Sequence, residues 1–182
     1  SGEVYLGECN PRITGASSMT NLACFAHADA PLFLFHLLEW MGVEYELDIA
    51  ALNARWSDPE NIDSWSQLVI KHPHDSVDLI THAPQSGIWE LDDNGGIHHV
   101  RVQTHRRTVQ TENRAFFLRI SGVGDYRYEG ADLGILVSPG RFMDNDFRLT
   151  ERAKTWIKGI NAHYAGAPVG EDEAASAGVE PG

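Results

Sequence analysis

Cysteine is scarce in this 182-residue chain: Cys9 and Cys24 are the only two, too few for a disulfide framework or a four-thiolate zinc site. Long apolar runs are lacking as well. The greasiest stretch, residues 31–41, falls far short of the roughly 20 residues a membrane-spanning helix needs, and the first residues lack the basic-then-apolar order of a secretory signal. No phosphate-loop or dinucleotide glycine pattern occurs. Gly122-Val123-Gly124 is followed by strand-type residues and reads as a turn. Base is also in short supply, with 14 Lys and Arg against 26 Asp and Glu. The resulting charge of -12 excludes a general nucleic-acid binder and disfavours an anionic membrane surface as partner. What is present is a 42% hydrophobic content, enough to bury a real core, so a soluble folded domain is expected, in the cytoplasm or within a virion or other large assembly.

The charge is unevenly placed. Residues 1–100 hold 15 acids and 3 bases, residues 101–165 hold 11 bases and 7 acids, and the last 17 residues hold 4 acids and no base. The basic part is led by Arg101, Arg106, Arg107, Arg114, Arg119 and Arg127. Arginine's planar fork suits carboxylates and phosphates, so these groups pair either with the chain's own acidic half or with an outside anionic surface.

Local patterns divide the chain into an extended arm over 1–20, a single α+β domain over 21–165 and an acidic flexible tail over 166–182. Asp29 as N-cap, Pro31 in the first turn and Gly42 as stop predict a helix ending at Met41 that is apolar nearly all round. Such a helix belongs at a protein's centre or under a subunit interface. Residues 43–49 alternate Val43, Tyr45, Leu47 and Ile49 with Glu44, Glu46 and Asp48, which predicts a half-buried strand. Ser57-Asp58-Pro59-Glu60 has capping-box form, and Ile62, Trp65, Leu68 and Val69 follow at helical spacing up to Pro73, predicting a second helix. Residues 88–92 and 97–104 flank Asp93-Asn94-Gly95-Gly96, the strongest hairpin signal in the chain. Further strands are expected over 115–121, 126–129 and 132–138, and a last amphipathic helix over 147–164 with Ala153, Trp156, Ile157, Ile160 and Tyr164 on its apolar stripe. The fold class is therefore α+β: a mostly antiparallel sheet of four to six strands, two N-terminal helices and a C-terminal amphipathic helix.

Three sets of residues could carry chemistry. Asn21-Leu22-Ala23-Cys24-Phe25 precedes the apolar helix, and His98 and His99 follow in the hairpin. Cys24 as nucleophile with His98 or His99 as base would make a cysteine-dependent hydrolase. Cys24-Phe25 and the helix-then-sheet order loosely resemble the papain-like cysteine proteases, although Pro31 starts the helix seven residues beyond Cys24. His72-Pro73-His74-Asp75 could present two imidazoles and a carboxylate to a divalent metal; no other cofactor is expected. Along the strand after Ile97, alternation puts His99, Arg101, Gln103 and His105 on one face, with Arg107 beyond, as a candidate anion-binding surface. The same alternation puts His98 with Val100 and Val102 on the apolar face, as a core histidine.

Five tryptophans, an apolar helix and a bipolar charge are more contact surface than so small a body needs for itself. The leading expectation is a protein-binding or assembly module whose partners are other protein chains or copies of itself, using the apolar helix and the arginine-rich sheet face.

Overall fold

The computed structural model describes residues 19, 23, 32–58, 60, 64–102 and 109–170. Among them the chain runs through α1 (Leu32–Trp40), α2 (Ile49–Trp56), β1 (Trp65–Lys71), β2 (Asp78–His82), β3 (Gly87–Leu91), β4 (Ile97–Arg101), β5 (Arg114–Arg119), β6 (Tyr126–Arg127), β7 (Asp132–Pro139), α3 (Glu151–Ala162) and β8 (Ala165–Pro168). Five strands form an antiparallel sheet in the order β1-β7-β5-β3-β4, and three form a second, β6-β2-β8. This is the mixed α+β class, with the mostly antiparallel sheet that the short connections require.

Turn chemistry fixes the β3–β4 hairpin. The Asp92 carboxylate accepts hydrogen bonds from the amides of Asn94 (2.8 Å) and Gly96 (2.9 Å), and Gly95 takes a φ of +81°. The pairs Trp89↔His99, Glu90↔His98 and Leu91↔Ile97 follow in register, and Val100 bulges before Arg101 pairs with Ile88.

Helix α3 covers one sheet face. Thr150 caps it by accepting from the amide of Ala153 at 3.2 Å, with Glu151 in the first turn against the positive end of the helix dipole. Ala153, Trp156 and Ile160, spaced by three and four residues, are buried against Leu68, Ile70, Trp89, Phe117, Leu133 and Leu136. Ile80 of β2 and Tyr164 belong to the same core, which ties the small sheet to the large one. On the other face Ile135 and Val137 are covered by Met19, Trp65 and Phe116.

Several segments differ from what local pattern implies. Residues 65–71, expected to be helical, form β1 and pair with β7 from Trp65↔Pro139 to Lys71↔Asp132. The burial of Leu68 and Ile70 and the exposure of Val69 and Lys71 follow a two-residue period. Non-local pairing overrides a helical spacing that this Trp, Val and Ile content only weakly supports. Ser57 is not an N-cap; it ends α2, its hydroxyl donating back to the Asn53 carbonyl at 2.7 Å. Residues 43–48 are irregular rather than a half-buried strand, because Asp48 caps α2 by accepting from the amide of Ala51 and the helix takes over at Ile49. The last helix starts at Glu151, with Phe147 left outside it in a left-handed turn of φ 59°. At the other end Gly166–Pro168, assigned from sequence to the tail, are strand residues of β8, and Val169 donates to the Val77 carbonyl.

Gly134 of β7 sits where the Phe117 ring crosses from β5. A Cβ there would collide with ring carbons of Phe117 and lie 2.8 Å from the Leu118 carbonyl. Gly134→Ala is therefore expected to lower unfolding stability by about 1–3 kcal/mol through overpacking. Gly170→Ala, at a position with open space around it, should stay within about 0.5 kcal/mol of the parent, both read from urea denaturation.

Candidate functional site

The hairpin histidines divide opposite to the expectation. His98 is exposed, whereas the ring of His99 packs edge-on against Trp89 with centroids 5.4 Å apart. His163, following α3, also meets that indole edge-on at 4.8 Å, and its Nε2 lies 3.3 Å from the Ile97 carbonyl. The indole N–H itself donates to the Gln85 carbonyl at 2.9 Å. His99 thus works as a packing group: its Nε2 is buried, has no hydrogen-bond partner among the described residues and faces the backbone at Gly87. The Val100 bulge explains a second difference. Directly opposed residues share a sheet face, so Arg101 (opposite Ile88) and His98 (opposite Glu90) lie on one face while His99 and Ile97 point to α3. Arg101 therefore stands with His98 rather than with His99. Cys24, Gln103, His105 and Arg107 fall outside the described residues.

A second histidine cluster surrounds β2. His72 is only 2% exposed, and the ring of His74 meets it edge-on at 5.3 Å. Its Nε2 is 4.0 Å from an Asp78 oxygen, beyond hydrogen-bonding reach. That oxygen already accepts two bonds from Arg127, from Nε at 3.1 Å and from Nη2 at 2.9 Å. Neither ring nitrogen of His72 has a partner among the described residues. Burial holds the His72 imidazole below its ordinary pKa. The Arg127 guanidinium pushes the same way, Asp78 opposes it, and His74 adds a smaller downward push. His74 and Asp75 are exposed, and no group of three His, Cys, Asp or Glu among the described residues could hold a metal ion. Of the residues expected to hold a divalent metal, the His72 imidazole is walled in while His74 and Asp75 face water.

Most of the described arginines are engaged within the molecule. Arg114 pairs with Glu90 across β5 and β3 at 2.7 Å, and Arg127 pairs with Asp78, each joining the basic half to the acidic half. Arg119 reaches the Pro84 carbonyl. Arg152 donates to the carbonyls of Glu112 and Arg141 and to the Ser138 hydroxyl, with its guanidinium 4.4 Å over the Phe142 ring. Arg101 makes no ion pair among the described residues and is exposed.

A stretch of exposed apolar surface lies away from the histidines. From Phe33 to Asp58 no residue is buried, although the stretch carries Leu34, Leu37, Trp40, Met41, Val43, Leu47, Ile49 and Trp56 as exposed large apolar groups. Trp40 is 85% exposed, Met41 64% and Ile49 63%. The segment has internal order of its own. The Phe35 and Tyr45 rings stack with centroids 6.3 Å apart, the Tyr45 hydroxyl donates to Glu39 at 2.9 Å, and Asp48 caps α2. Glu39, Val43, Tyr45, Leu47 and Ile49 line an open concavity of about 810 Å³ on it. Sequence showed that α1 is apolar nearly all round; it did not show that nothing in the described structure covers it.

Comparison with protein-family models, curated proteins and solved structures finds no match to this chain. The arrangement of its own side chains is what bears on function.

Because the folded state disfavours a proton on His72, the unfolded chain binds that proton more readily. The stabilisation this gives is complete above about pH 6.5 and is lost as the pH falls through the lower folded value. His72→Leu fills the space without two unpartnered nitrogens and is expected to be near neutral or stabilising at high pH. Urea denaturation at successive pH values checks this: the variant's advantage over the parent should grow steadily as the solution is acidified.

Proposed function

We propose that this chain is a protein-binding and assembly module, and that its contact surface is the helical segment 32–58. The observation that carries the reading is the run from Phe33 to Asp58, with eight large apolar side chains in the open and none buried. Contiguous apolar surface of this kind marks contact sites on soluble proteins, and exposed Trp, Leu and Met are the groups that anchor them. The internal ordering of the segment supports the same reading, since a pre-shaped surface loses less entropy on binding. The arginine-rich face contributes less than its composition implies, because Arg114, Arg127 and Arg152 are matched within the fold. Arg101, exposed and without an ion pair among the described residues, keeps its charge for a partner.

Sedimentation velocity of the full chain over a range of concentration and salt tests the reading. Self-association is expected, and Trp40→Ser combined with Leu37→Ser should weaken it by about 30-fold or more, the effect of losing a buried anchor. Both positions are exposed, so the circular-dichroism melt should not move. A monomer under all conditions, or an association indifferent to these substitutions, would overturn the assignment.

A further inference from the structure

We infer that residues 43–47 of one copy add as a strand to the free edge of β4 in a second copy; this rests on the assembly reading and names its partner. The donor has the right pattern. Val43, Tyr45 and Leu47 alternate with Glu44 and Glu46, yet the segment has no ladder partner among the described residues. The amides of Glu44, Tyr45, Glu46 and Leu47 donate to no other group among the described residues. A period-two stretch with unpaired amides is what strand addition uses.

The acceptor is β4, which is bonded to β3 on one side and to no described strand on the other. Its five residues match the five of the donor. The polar side chains also match in spacing. His98 and Arg101 stand opposite Glu90 and Ile88, so the Val100 bulge places them on one face just two ladder positions apart. Glu44 and Glu46 have that same separation, and all four side chains are exposed. With the two carboxylates over His98 and Arg101, Val43, Tyr45 and Leu47 turn to the α3 side. There a groove of about 470 Å³ lies between the hairpin end and α3, lined by Ile97, Thr155, Lys158, Gly159 and His163. Donor and acceptor belong to one sequence, the donor carrying Glu44 and Glu46 and the acceptor carrying Arg101. A second copy is the occupant that carries the complementary charge by construction.

The test uses full-length protein in two charge-reversed forms, Glu44→Lys with Glu46→Lys, and Arg101→Glu. Each alone should self-associate at least about tenfold more weakly than the parent, because like charges then face each other across the new ladder. An equimolar mixture of the two should recover association, since every donor then meets an acceptor of opposite sign. In the parent, hydrogen exchange at Glu44–Leu47 should slow as the oligomer fills. Association that still depends on Trp40 but ignores both reversals, with those amides exchanging at the monomer rate, overturns the strand addition and leaves the assembly reading standing. No association at any concentration removes both. Slow exchange of these amides in a concentration-independent monomer overturns the second copy as occupant, the strand then closing on its own sheet.

Discussion

Strand β7 is the element on which the described body depends. It is hydrogen-bonded on both sides, to β1 and β5, and its residues from Leu133 to Ser138 are all buried. A strand in that position needs cover on both faces. One face receives it from α3 through Ala153, Trp156 and Ile160, and the other from Trp65, Phe116 and Met19. Even the polar side chain at its end is bonded: the Ser138 hydroxyl donates to the Arg114 carbonyl and accepts from Arg152. The low tolerance for a side chain at Gly134 is the same constraint at atomic scale.

Charge is organised around this core. The division into an acidic first half and a basic second half resolves largely into internal pairs, Glu90 with Arg114 and Asp78 with Arg127. Both pairs join neighbouring strands, so they add register as well as Coulomb energy, and partly buried pairs are valued more for specificity than for net stabilisation. The consequence for function is subtractive. Once these arginines are engaged, the free surface passes from the basic sheet to the uncovered helical segment and to the edge at Arg101.

The sequence was most legible where local chemistry decides the backbone. The Asp92–Gly96 turn, the strands that pair around it and the Ala153–Trp156–Ile160 stripe all follow from side-chain period and capping groups. Two segments misled in opposite directions. Residues 65–71 carry a helical spacing and become a strand because β7 offers a ladder; residues 43–48 carry strand alternation and stay unpaired because no described strand lies beside them. Pairing partners, not period, decide such short runs. β8 escaped notice since Ala165, Gly166 and Ala167 have no strand signature, and it forms because β2 presents an open edge to them. At the candidate site, the apolar character of α1 was readable but its exposure was not. His99 faces α3 because the turn register sets it opposite Trp89, and the transfer of Arg101 to the other face hangs on a one-residue bulge that leaves no mark in composition.

The order in which the sheet is threaded bears on how the protein is made. β1 is an edge strand whose described partner is β7, with Trp65 facing Pro139 and Lys71 facing Asp132, so the first of the described strands pairs with nearly the last of them. β7 is also the neighbour that joins the paired strands β5, β3 and β4 to β1, and α3 covers the face that carries Trp89 and Phe117. Pairings between strands so distant in sequence are of the kind that slow folding in general.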